Sequence, residues 1–173
     1  MEECVSWAET AVQALVESGI QQVIYVPDNA LIPLINGFRA DGRLTVFSAS
    51  REEEAIGIAC GAFLGGQRAL VMMQSSGFGN IPNALASLAV PYQIPLVMII
   101  SERGALGEYN SVQVPITRVI RPTLDALGIP HYTLTHPDEV DFIARRITSQ
   151  AFSTQQPAAI ILSALLTGGK QDR

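Results

Sequence analysis

Short apolar runs alternate with amphipathic stretches along the whole chain. Val23–Val26, Leu44–Ala49, Ala69–Gln74, Leu96–Ser101 and Ala158–Ser163 have strand length, and His131–Leu134 is a weaker sixth. Most lack strict in–out alternation, the pattern of parallel strands covered on both faces. Between them, apolar residues recur at helical spacing. Ala8, Val12, Leu15 and Val16 lead to Gly19, and Ala55, Ile58, Ala59 and Ala62 lead to Gly65-Gly66. Leu85, Leu88 and Ala89 continue a helix that must end before Pro91. Val119, Thr123, Leu124 and Leu127 stop at Gly128, and Val140, Ile143, Ala144 and Ile147 form the last long face. The alternation predicts an open, mainly parallel α/β sheet of about six strands with helices on both faces. Residues 1–173 read as one domain, ordered over about 5–165, with a frayed tail at 168–173.

In such sheets the ligand crevice lies at the carboxyl ends of the strands. The segments that matter are therefore Pro27–Leu31, Ser50–Glu54, Ser75–Asn80 and Ser101–Tyr109.

Composition narrows the function classes. Hydrophobic residues make up 48% and charged residues 16%, with a formal charge of −5 and mean hydropathy +0.27. That balance excludes a disordered chain. The lack of a basic stripe argues against a nucleic-acid partner. Runs such as Leu96–Ile100 are too short to span a bilayer. The acidic start Met1-Glu2-Glu3-Cys4 does not read as a targeting leader. Two cysteines, Cys4 and Cys60, form no disulfide framework or metal cluster. A reducing, cytoplasmic setting is the expectation.

Ser50-Arg51-Glu52-Glu53-Glu54 is the densest polar cluster. Acids suit a first helical turn, and Ser50 with Glu53 fits a capping box. Glu54 reads as solvated, and Glu52 is not needed by the box. Gly77-Phe78-Gly79 follows a strand and imitates a dinucleotide fingerprint, with Glu102 as the later acid. The third glycine position is Pro82, so the match is partial. A tight turn with positive φ is the plainer reading. Cys60 reads as core, His131 and His136 as surface or turn residues, and Asp28 as a turn residue after Pro27. Arg103 either meets a substrate anion or pairs with Glu102 or Glu108 on the surface, the second being favoured.

Several of these segments, in order, resemble one family. Glu52 followed by Ala55-Ile56-Gly57-Ile58-Ala59-Cys60-Gly61-Ala62 resembles the pyrimidine-binding domain of thiamine-diphosphate-dependent decarboxylases, whose catalytic glutamate lies nine positions before a glycine. Met73-Gln74-Ser75-Ser76-Gly77-Phe78-Gly79-Asn80, with Asn83 and Ser87-Leu88 after it, resembles the sulfopyruvate and phosphonopyruvate decarboxylases. Val26-Pro27-Asp28 and Ser101-Glu102-Arg103-Gly104 fall in the matching order, and the likeness covers about residues 5–165.

The resemblance implies that Glu52 hydrogen-bonds N1′ of the aminopyrimidine and promotes its imino form, which takes the thiazolium C2 proton. Apolar neighbours would raise the Glu52 pKa and ease that proton sharing. It further implies that Ser75, Ser76 and Gly77 line the cofactor and that Asn80 fixes the loop. Asp28, Ser76 and Gln113 would meet the substrate. Val114 stands where some relatives have a histidine, so any proton transfer by that histidine is lost or moved. No Gly-Asp-Gly, the family's diphosphate and magnesium motif, occurs in the chain. The implied protein is therefore an alpha subunit. Thiamine diphosphate and Mg2+ would be held mainly by a beta subunit, in a hetero-oligomer with at least two copies of each. The same residues serve decarboxylation or acyloin-forming carboligation, and a non-catalytic nucleotide- or partner-binding homologue stays open.

Overall fold

In a computed structural model, residues 6–169 are described; Cys4 and the tail from Lys170 to Arg173 lie outside them. Six parallel strands form one sheet: β1 (Gln22–Tyr25), β2 (Thr45–Ser48), β3 (Ala69–Gln74), β4 (Val97–Ser101), β5 (His131–Leu134) and β6 (Ala158–Leu162). Their order is β2-β1-β3-β4-β6-β5, and every pairing is parallel. The helices are α1 (Trp7–Glu17), α2 (Ile32–Ala40), α3 (Glu52–Leu64), α4 (Ser75–Phe78), α5 (Pro82–Ala84), α6 (Val114–Ala126), α7 (Val140–Thr154) and α8 (Ala164–Thr167). All six expected strands are present, shifted or trimmed by a residue or so at their ends.

Local chemistry explains most boundaries. Ser6 caps α1, accepting from the Glu9 N–H while the Glu9 carboxylate takes the Ser6 N–H. Gly19 follows at φ +89°, where a side chain would be strained. Helix α2 has no counterpart in the periodicity reading. Its apolar residues Leu34, Ile35 and Phe38 are buried, but Pro33 and Gly37 break the helical signal. The expected helix through Leu85 and Leu88 is α5 running into a single π turn, Leu85–Ala89.

Strands β1, β2, β3, β4 and β6 feed two cores, whereas β5 gives only Leu134 to one of them. Val23, Tyr25, Leu70 and Met72 face α1, α2 and α7, whereas Ile24, Val71 and Met73 face α3 and α6. Burial on both faces accounts for the near-continuous apolar runs of β3, β4 and β6. The chain moves outward from β1 to β2, then returns through α3 to lay β3 on β1's other side. That reversal puts the switch point, and hence the crevice, at the carboxyl ends of β1 and β3.

Helix α2 approaches α1 closely because a Cβ on Gly37 would lie 2.9 Å from Val12 Cγ2. Gly57, on the outer face of α3, has open space around it. Gly37→Val should therefore destabilise the chain by roughly 1–3 kcal/mol through overpacking. Gly57→Ala should stabilise it by up to about 1 kcal/mol through helix propensity. Urea unfolding of the two variants beside wild type checks both signs.

Candidate active site

Helix α3 begins at the crevice, and its first residue is Glu52. The capping box expected for Ser50 and Glu53 does not form. Arg51 is the N-cap, in extended conformation and without a side-chain cap bond. Glu53 instead pairs with Arg51 at 2.9 Å, which lowers its pKa. The carboxylate that reaches back is Glu54, accepting the Ser50 N–H at 2.7 Å. One extra residue in the extended entry moves the reciprocal bond from the third acid's neighbour to the third acid.

Glu52 is thereby left free of capping, as expected, and turns toward β3's end. Asn80 Nδ2 donates to its Oε2 at 3.2 Å. Its carboxyl group lies over Gly77, so that a Cβ there would overlap the carboxylate and sit 2.6 Å from Glu52 Cγ. Gly77 and Gly79 do not have the positive φ expected of a tight turn. They lie in and just after the short helix α4, and Gly77 is glycine because Glu52 occupies the space a side chain would need. Asn80 braces Glu52 as well as ending the loop.

A second polar group spans the carboxyl ends of β1, β3 and β4. Asp28 caps the turn Asn29–Leu31, accepting the Ala30 N–H at 3.2 Å. Its two oxygens also accept from Gln74 Nε2 at 2.5 Å and Ser101 Oγ at 2.8 Å. Exposed Ser76 donates to Gln74 Oε1 at 2.7 Å. Ser75 is buried, and its hydroxyl accepts the Arg103 N–H at 3.1 Å. Sequence reasoning placed Gln74 and Ser101 in matching segments but gave neither a role; their positions as last residues of adjacent strands were the available signal.

The loop after β4 is held by one carboxylate. Glu108 accepts from Arg103 Nε and Nη2, each at 2.7 Å, and from the N–H groups of Gly104 and Asn110. The Arg103 pairing with Glu108 forms, but not on the surface: the two side chains are only 11% and 5% exposed. Gly104, at φ +79°, lies against the Gln113 carbonyl. Gln113 is half-buried, and its Oε1 is enclosed without a partner, as is Thr117 Oγ1. Glu102 pairs with Arg121 at 2.6 Å and is only 6% exposed, so it is not placed to meet a ribose. Burial pushes the Cys60 thiol up to about 11, consistent with a core residue.

The donor set suits the aminopyrimidine end of thiamine diphosphate. A half-buried carboxylate held at one oxygen by an amide leaves its other oxygen for a ring nitrogen. Among the described residues, no group of three or more His, Cys, Asp or Glu side chains stands together as a metal site. An open groove of about 570 Å³ between α5 and α6, floored by Ala86, Val119 and Pro122, includes none of these site residues.

The Arg103 bonds hold the Glu108 pKa down at about 2, with help from the two N–H groups. A depressed carboxyl stabilises the fold above its unfolded pKa, and that contribution is lost as pH falls through the folded value. Glu108→Ala should cost about 3 kcal/mol near neutrality, because it strands a buried guanidinium. The gap between wild type and variant should be full above pH ~4.5 and nearly gone at pH ~2. Denaturant titrations across that window measure it.

Comparison with known proteins identifies the family. Residues 5–129 match the family model described as thiamine pyrophosphate enzyme, N-terminal TPP binding domain. The chain is 35% identical over 158 residues to the sulfopyruvate decarboxylase subunit alpha of Methanococcus maripaludis, covering 91% of this chain and 95% of that one. It is 30% identical over 158 residues to the sulfopyruvate decarboxylase of Methanosarcina acetivorans, covering 90% of this chain but only 39% of that one. With the phosphonopyruvate decarboxylase of Streptomyces viridochromogenes it shares 39% identity over 106 residues, 61% of this chain and 27% of that one. With its parallel sheet, its switch-point crevice and its matching residues, the chain belongs to the thiamine pyrophosphate enzymes, through their N-terminal TPP-binding domain.

Proposed function

We propose that this chain is the alpha subunit of a two-subunit thiamine-diphosphate-dependent decarboxylase. Its substrate would be a 3-substituted pyruvate such as sulfopyruvate or phosphonopyruvate. The observation that carries the reading is the Glu52 carboxylate, seated over Gly77 and turned by Asn80 at the sheet's switch point. The names of the relatives support the reaction class, a thiamine-diphosphate-dependent carboxy-lyase.

When bound, the cofactor supplies the electron sink that lets carbon dioxide leave. The chain's own part is to hold a proton at pyrimidine N1′ through Glu52. Asn80 keeps that carboxylate from rotating away, and Gly77 leaves it room. Asp28, Ser76 and Gln113 would meet the substrate, while Ser75 ties the β4 loop to α4 from within. Val114 carries no proton, so protons at the substrate end come from other groups.

The diphosphate and Mg2+ fall to a beta subunit, since this chain has no Gly-Asp-Gly. The longer relative named sulfopyruvate decarboxylase, of which this chain covers only 39%, supports that division. The surface around Glu52 supports it too. The outer face of α3 presents Gly57, Gly61 and Leu64, the last 78% exposed. A partner seated there would reach Glu52 and bury apolar surface. An assembly with at least two copies of each subunit is the arrangement we favour. No helix of the described residues is long and apolar enough to cross a membrane.

The test is co-expression with a partner carrying Gly-Asp-Gly, followed by carbon dioxide release from sulfopyruvate, phosphonopyruvate and pyruvate. The pair should turn over a 3-substituted acid, and the isolated chain should neither turn over nor bind thiamine diphosphate tightly. Glu52→Gln should lower turnover by ~10²–10⁴-fold with the fold intact. Glu53→Gln, which loses only an exposed ion pair, should stay near wild type. Equal losses at both positions would point to a helix-start effect instead.

A further inference from the structure

We infer that Gln74, at the end of β3, is a positioning residue that makes Ser76 a hydrogen-bond acceptor toward the crevice. The inference rests on the decarboxylase reading and adds a specific division of labour to it. The argument begins at Asp28. An ionised carboxylate only accepts hydrogen bonds. Asp28 therefore takes the Gln74 amide by its NH2 side, at 2.5 Å. That choice points Gln74 Oε1 at Ser76, which must spend its single hydroxyl hydrogen there, at 2.7 Å. Ser101 donates to the other Asp28 oxygen and holds the carboxylate against rotation. Ser76 is exposed at the start of α4, and what it offers outward is lone pairs alone.

An acceptor-only hydroxyl suits a donor. The reacting end of a 2-oxo acid brings none at neutral pH, because its ketone and carboxylate oxygens both accept. A donor appears during the reaction. As a carbanion supplied by the bound cofactor adds to the ketone carbon, the C=O π pair would move to oxygen, and that oxygen would take up a proton from water to become a hydroxyl. Ser76 thus gains its partner after binding, and the interaction favours the reacting state over the bound substrate. Gln74 touches neither substrate nor cofactor in this scheme; it sets the direction of the bond that Ser76 makes.

The experiment is a double-mutant cycle in the assembled two-subunit enzyme, using Gln74→Met, Ser76→Ala and the two combined. Each single variant should lower kcat about tenfold, the scale of one hydrogen bond, with KM little changed. The double variant should fall no further, because both remove the same bond. Additive losses of about a hundredfold overturn the inference, as does a raised KM with kcat kept. Lowered thermal stability with normal kinetics makes Gln74 a brace and also overturns it. If Gln74→Met misfolds, Gln74→Glu, which sets two carboxylates against each other, is compared with the exchange Asp28→Asn/Gln74→Glu, which reverses the bond between positions 28 and 74 but keeps Ser76 and Ser101 donating inward. The exchange should recover kcat relative to Gln74→Glu alone, and no recovery counts against the inference. A wild-type pair that releases no carbon dioxide removes the decarboxylase reading and this inference together. An active wild type with an additive cycle removes this inference alone.

Discussion

The Glu52 carboxylate occupies the volume that a side chain on Gly77 would require, and the crevice is organised around that exclusion. The extended entry through Arg51 sends the first residue of α3 inward. Helix α4 begins immediately after β3, so its backbone can pass beneath the carboxylate. Asn80, just beyond α4, then closes over one carboxylate oxygen. None of the three elements fixes the position of Glu52 alone. Together they hold an anion at the point where strand order reverses, which is where open parallel sheets leave room for a ligand.

The fold was largely legible because burial on both faces writes long apolar runs, and β3, β4 and β6 are such runs. Helix α2 was not legible, since Pro33 and Gly37 obscure the spacing of Leu34, Ile35 and Phe38. The site divides similarly. Glu52 and the Gly77 loop could be found from motif order, and Asp28 from its turn. The capping pattern could not be trusted, because a shift of one residue at the helix entry hands the reciprocal bond from Glu53 to Glu54. Gly77 shows a different limit. Sequence suggests a glycine needed for backbone conformation, whereas the structure gives one needed for space beside a residue far away along the chain.

Polar groups at the strand ends are coupled more tightly than their separate roles suggest. Asp28 joins three strands through Gln74 and Ser101, so a change in its charge reaches Ser76 without any backbone movement. Directionality, rather than proximity, is what such a chain transmits: one group that can only accept dictates the orientation of each donor after it. Gln113 and Thr117, by contrast, keep enclosed oxygens without partners, so that side of the crevice lacks a comparable ordering.

The loop after β4 carries a consequence for sequence drift. Glu108 grips the backbone N–H groups of Gly104 and Asn110 together with one side chain, Arg103. The residues it spans, Ala105, Leu106 and Gly107, contribute no side chain to that grip. Ala105 and Leu106 are free to wander, whereas Gly107 is held to glycine by its φ of +78°; the spacing is fixed too, because a single insertion or deletion would carry the carboxylate out of reach of one end. Among descendants of this gene the loop should keep its length more faithfully than its letters, with residues 103 and 108 changing together or not at all.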